Sequence, residues 1–163
     1  AMLALEAGDR AEAERQFANS AVIPGASAAA HASISINRAF MAIADRDPVK
    51  ARQYHDKALI EGEDLRVIKY QNHVDLVGAL VEWSAGNLDL AEAKLRDVVV
   101  RLPDDDEAHV YLGRLLISRG KIGEGEEQVR IGGVVRRFDN DVGPLAHTLF
   151  YVDPEKGGAL TRN

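Results

Sequence analysis

The chain has no cysteine. That excludes a disulfide frame, a thiolate zinc site and a cysteine nucleophile, and it fits a reducing compartment. No run of 18 apolar residues occurs, and no signal-peptide pattern opens the chain. The reading is therefore a soluble, cytoplasmic chain without membrane insertion. No block of five or six like charges occurs, and the net charge is −6. The densest basic stretch is Arg136-Arg137 with Arg130 nearby, which speaks against a nucleic-acid partner. Aromatic residues make up only 6% of the chain, so a core here has to be built largely from Ala, Leu, Val and Ile. What remains is 163 residues with 46% apolar and 28% charged content, the balance of a globular protein long enough to bury a core.

The informative feature is repetition. GNLDLAEAKLRDVVVRLP, from Gly86 to Pro103, restates GDRAEAERQFANSAVIP, from Gly8 to Pro24. Aligning Ala13, Ala51, Ala91 and Gly125 gives spacings of 38, 40 and 34 residues. Gly8, Arg46, Gly86 and Gly120 follow as turn positions, and Phe17, His55, Leu95 and Val129 follow four residues beyond each small residue. Periods of this size mark stacked supersecondary units.

Each unit reads as helix, short turn, helix. In the third, Leu76, Ala79, Leu80 and Trp83 recur at i, i+3, i+4 and i+7, a single helical face. Gly86-Asn87 interrupts, and Leu88, Ala91, Leu95, Val98 and Leu102 make a second stripe, which Pro103 ends. The acidic run Asp104 to Asp106 is read as the cap of the next helix, with a metal site as the rival.

These units resemble the tetratricopeptide repeat family. Leu112-Gly113, Gly120, Ala91, Leu95 and Pro103 stand where that pattern has Leu-Gly, Gly, Ala, a large apolar residue and Pro. The resemblance implies an all-α superhelix, a solenoid of antiparallel helix pairs. Residues 1–139 would hold four repeats, the first truncated at its amino end. Residues 140–163 are expected to supply a short capping helix, from about Pro144 to Tyr151, and a loose tail. Gly123 and Gly125 fall inside the last helix, where each costs about 1 kcal/mol against Ala, unless Gly125 serves a close backbone contact.

The family's use of this fold is to hold a protein or peptide in a concave groove lined by the first helix of each pair. Periodicity makes Ile36, Ala39, Phe40 and Ile43 a core stripe, whereas the strict family register puts Phe40 and Trp83 in the groove; periodicity is preferred. Val74, Val77 and Val81 then form a second apolar row well around the helix from Leu76, Leu80 and Trp83. Either this helix is pressed by neighbours on both sides, or the valines wall an apolar groove. The second reading gives a partner-binding set of Asn37, Met41, His73, Val74, Val77, Val81, Val110, Arg114 and Ile117. The family's chaperone-tail clamp needs Lys-x3-Asn and Lys-x3-Arg, and no Lys here is followed by either at that spacing.

Catalytic patterns are missing. The five histidines, His31, His55, His73, His109 and His147, form no His-Glu-x-x-His and no helical pair, so no metal is expected. His55 is expected at a core position and His109 at the surface. GKIGEGEEQVRIGG has Gln128 where a dinucleotide loop needs Gly, and Ile122 where a P-loop needs Ser or Thr. No cofactor and no enzymatic activity are expected. The chain reads as an interaction scaffold, with self-association into a homo-oligomer, or service as an accessory regulatory module of a larger enzyme or transcription regulator, as alternatives.

Overall fold

The structure is a computed structural model that describes residues 10–21, 27–65, 68–139, 152–153 and 158–159. Among the described residues seven α-helices follow one another: α1 (Arg10–Ala21), α2 (Ala28–Ala44), α3 (Pro48–Glu61), α4 (Ile68–Ser84), α5 (Leu88–Arg101), α6 (Asp106–Ser118) and α7 (Ile122–Asp139). The described fold is all-α except for one two-residue antiparallel ladder, β1 (Val152–Asp153) against β2 (Gly158–Ala159). Among the described residues no helix is long and apolar enough to cross a membrane. The expected capping helix, from about Pro144 to Tyr151, lies outside the described residues.

Local chemistry sets where the helices begin. Ser27 accepts from the Ala30 N–H at 3.2 Å, Asp47 from the Lys50 N–H at 3.0 Å, and Asp105 from the Ala108 N–H at 2.9 Å, each satisfying a donor that the first turn leaves open. The acidic run before α6 is thus a helix cap.

The turns between paired helices are three copies of one backbone device. Arg46, Gly86 and Gly120 all adopt left-handed conformations, with φ of 58°, 82° and 80°. One residue later, Asp47, Asn87 and Lys121 donate their N–H groups to the carbonyls of Ala42, Glu82 and Leu116, each at 2.9 Å. This is the Schellman closure. The alignment of Arg46 with the two glycines therefore reflects an identical chain path. Glycine holds that conformation freely, whereas a residue with a Cβ is strained there by about 1 kcal/mol. Arg46→Gly is accordingly expected to stabilise the chain by about 1 kcal/mol, read as a raised melting temperature; an unchanged or lowered one contradicts this account of the turn.

Each helix packs on the next in sequence, most closely within the pairs α2/α3, α4/α5 and α6/α7, and α2 also reaches α4. The small residues aligned from the sequence, Ala13, Ala51, Ala91 and Gly125, are all buried. So are Ala39, Ala79 and Gly113, which share one distance from their turns. In the last pair the reason is visible. A Cβ on Gly113 would stand 2.6 Å from the Gly125 carbonyl oxygen, and one on Gly125 would stand 2.6 Å from the Gly113 carbonyl oxygen. About two turns further on, a Cβ on Gly132 would stand 2.7 Å from the Asp106 carbonyl oxygen. The backbones of α6 and α7 approach closely along much of their length, which is what Gly125 in the first turn of α7 serves. Gly123 meets nothing within 4 Å and has no such role.

Helix α4 runs through the centre. Val74 and the unbroken stretch from Leu76 to Trp83 are buried. Its buried Glu82 is held by both Arg52 nitrogens, at 2.9 Å each, and by Asn87 Nδ2 at 2.8 Å. Those contacts hold the Glu82 carboxyl below the usual carboxylate range, Arg52 being the largest cause. His55 also enters this core. Its ring nitrogen Nε2 lies 3.0 Å from the Val74 carbonyl oxygen, in space kept open because residue 78 is glycine.

Candidate functional site

The three left-handed turn residues provide a common register for the first helices of the pairs. Counted back from them, Ile36, Leu76 and Val110 are equivalent, as are Phe40, Leu80 and Arg114, and Ile43, Trp83 and Ile117. The neighbouring row runs Asn37, Val77, Tyr111 and Met41, Val81, Leu115. The residues expected to line one groove are therefore drawn from two rows. Asn37, Met41, Val77 and Val81 belong to one, and Val110, Arg114 and Ile117 to the other. Val74 lies at the amino-terminal end of the row of Val77 and Val81 on α4, and His73 lies between the two rows.

Burial separates these residues further. Val74, Val77 and Val81 are 3%, 0% and 1% exposed, so they form no open wall. From Leu76 to Trp83 the helix that carries them is enclosed by its own chain, the alternative that the breadth of its apolar arc already allowed. Asn37 and Met41 are half-buried on α2, and Asn37 Nδ2 donates to the Ser33 carbonyl at 2.9 Å. Phe40 and Trp83 are both buried, as periodicity required of Phe40's stripe. On α6 the same row is partly open: Val110 and Arg114 are half-buried and Ile117 is exposed. These three stand at i, i+4 and i+7 and form one stripe, on a helix whose other described faces are largely buried.

His73 packs its ring on Phe40, with centroids 5.6 Å apart and planes at 52°. Burial pushes its pKa down from the ordinary value to about 4, because a low-dielectric surround disfavours the imidazolium. The folded value lies below the unfolded one, so folding disfavours protonation. The resulting stability is whole above about pH 6.5 and drains away as the pH falls towards 4. The loss is expected to be about 2 kcal/mol after discounting for partial solvent contact. Denaturant melts at several pH values check it: His73→Leu should gain on the parent between pH 6.5 and 4 and keep a constant offset above. A constant offset throughout contradicts the burial of His73.

Two features differ from the sequence expectation or were not anticipated by it. His109, expected at the surface, is buried: its Nδ1 lies 2.7 Å from the Gln128 side-chain oxygen and its Nε2 lies 3.0 Å from the Pro103 carbonyl oxygen. The ring ties the α5–α6 turn to α7, a partnership across 19 residues that no local pattern could announce. The second feature is an ion-pair hub on buried Glu92. It receives Arg96 at 2.9 Å, Arg119 at 2.7 Å and Lys121 at 2.7 Å. Arg119 also pairs with Asp89, and Arg96 with Glu124 at 2.6 Å. Burial raises the Glu92 carboxyl, but the cations outweigh it and hold the group below its usual range. The hub binds α5 to the α6–α7 turn, and its groups are consumed by one another, which makes it structural rather than a vacant ligand site. Among the described residues no three His, Asp or Glu side chains gather as a metal set.

Among the described residues the fold is all-α, a series of consecutive helix pairs with a partly open row on α6. No family model, no curated protein and no solved structure matches the chain.

Proposed function

We propose that this chain is a protein-interaction scaffold: a short solenoid of helix pairs of the tetratricopeptide type that takes a partner segment along its first-helix face. The observation that carries this reading is the α6 stripe. Val110, Arg114 and Ile117 are partly open, whereas their equivalents on α2 and α4, from Ile36 to Trp83, are buried. Two partly open apolar residues on one helical face suit a segment that brings apolar side chains, whose burial supplies the affinity. Three identical turns support the repeat architecture. Catalysis plays no part in this reading, and no cofactor is required.

The test is affinity capture with the parent chain and with Val110→Asp/Ile117→Asp. Both positions touch solvent but also border Gly132 and Gly125 of α7, so the double variant is first checked for the parent's helical circular dichroism, and the folded variant should lose the captured protein. Retention of that protein by the folded variant overturns the reading.

Self-association is the second reading, favoured by large apolar residues exposed on the other helix layer. Val49 and Ile60 on α3, and Val100 on α5, are 66%, 75% and 78% exposed. Sedimentation across a dilution series decides it, and a monomer at every concentration removes it.

A further inference from the structure

Helices α3 and α5 both pack on α4, and side-chain contacts fix how. Near the start of α3, Arg52 donates to Glu82, and near its end the Ala58 carbonyl accepts from the Tyr70 hydroxyl. Asn87, the residue before α5, donates to Glu82, and Arg101 at the end of α5 donates to Asn72 and Asp75. Both helices therefore run antiparallel to α4 and parallel to each other, with equivalent residues at about the same level. Their faces away from the core match position by position. On α3, Gln53, Asp56, Lys57 and Ile60 are exposed and stand at i, i+3, i+4 and i+7, a single helical face. Counted from the left-handed turn residues Arg46 and Gly86, their equivalents on α5 are Ala93, Arg96, Asp97 and Val100. Of these only Arg96 is half-buried, and the others are exposed. Among the described residues, Ile60 and Val100 are the most exposed of the large apolar side chains. Beside them the charges are reversed: Asp56 corresponds to Arg96, and Lys57 to Asp97.

We propose that these two stripes are the interface for a second copy of this chain, related by a two-fold axis that runs between α3 and α5 and parallel to them. Such an axis preserves helix direction and level, and it lays α3 of each copy on α5 of the other. Ile60 then meets the partner's Val100, Asp56 the partner's Arg96, and Lys57 the partner's Asp97. Each contact occurs twice, as an isologous interface requires. A two-fold axis across the helices would instead lay α3 on α3 and α5 on α5, which separates Ile60 from Val100 and gives the charge reversal no role. The charged groups already have partners in their own chain: Lys57 pairs with Glu61, Asp97 with Arg101, and Arg96 with Glu92 and Glu124. Exposed pairs within one helix are worth little, so exchanging them costs little, and Arg96 keeps N–H donors for a further carboxylate. The apolar contacts supply affinity and the charges fix the register. With two short stripes from each copy the contact is small, which makes the dimer one that dilution separates. The proposal rests on the self-association reading and not on the α6 stripe.

Because the chain has no cysteine, introduced thiols report which residues meet. Ile60→Cys and Val100→Cys chains are treated with a short bifunctional thiol reagent, separately and as an exchanged mixture, at up to about 1 mM so that a weak dimer is populated. Both positions are exposed, so each variant should keep the parent's helical circular dichroism. The mixture should give a cross-linked dimer holding one chain of each kind, and each variant alone should give several-fold less. A mixture that cross-links no better than the separate variants overturns the proposed axis, even where the chain self-associates. Sedimentation equilibrium reads the charges. Lys57→Glu and Asp97→Lys should each weaken the dimer by about tenfold, since each sets like charges together twice. The double variant, Lys57→Glu with Asp97→Lys, restores opposite signs and should regain most of that loss, a coupling that two unrelated surface changes would not show. Additive weakening in the double variant overturns the pairing. A parent chain that sediments as a monomer throughout removes self-association itself and this proposal with it, and leaves the two stripes to solvent or to a different partner.

Discussion

Val77→Asp together with Val81→Asp is expected to unfold the chain at room temperature. The two valines are 0% and 1% exposed, on a helix buried through every position from Leu76 to Trp83. An isolated carboxylate transferred to such surroundings without a partner costs several kcal/mol, even after the group protonates or draws in water. Each substitution also forfeits about 2 kcal/mol of apolar burial and the packing around it. Two of them meet or exceed the roughly 5–15 kcal/mol that holds an ordinary domain together. Far-UV circular dichroism should show lost helicity, and gel filtration an expanded or aggregated species. A folded double variant with a melting temperature close to the parent's would mean that α4 is not enclosed, and the central packing described above would fail with it. The consequence for function is direct: these valines cannot serve as a binding probe, because loss of a partner would only report loss of the fold.

Gly125→Ala is expected to destabilise the chain by about 3 kcal/mol, a large effect for one methyl group. The added carbon would meet the Gly113 carbonyl oxygen at 2.6 Å and the Ile117 nitrogen at 3.0 Å. Both belong to backbone, which cannot rotate aside as a side-chain end can, so α6 and α7 must move apart along a contact that Gly113 and Gly132 also need. Interiors packed at crystal-like density absorb such a shift poorly. Gly123→Ala, two residues away in the same helix, meets nothing within 4 Å and should stabilise by about 1 kcal/mol, the ordinary difference in helix propensity. Opposite signs at neighbouring glycines, read from denaturant midpoints at constant slope, separate a packing requirement from a propensity effect. Equal signs would show that the helices are not in close backbone contact.

These two cases mark how far a linear reading reaches. The turn positions were legible at Arg46, although arginine hides the conformation that glycine advertises at Gly86 and Gly120, because the spacing of small residues around it repeats. The cap at Asp105 and the stop at Pro103 were legible because their causes lie within a few residues. The breadth of the apolar arc on α4 was legible too, but not its meaning. A helix pressed from both sides and a helix lining an open groove present the same pattern of Val and Leu, and only the positions of the neighbours tell them apart. His109 was misread for a related reason. It follows the acidic run from Asp104 to Glu107 and looks exposed, yet Gln128 and the Pro103 carbonyl enclose it.

What the sequence by itself determined is the set of local decisions: helices, caps, turns and the small residues of each pair, all governed by interactions a few positions apart. Tertiary structure alone decided which row of the first helices is closed and which is open. That choice depends on contacts between residues tens of positions apart, such as α2 against α4, and side-chain periodicity carries no record of what packs on the far side of a helix.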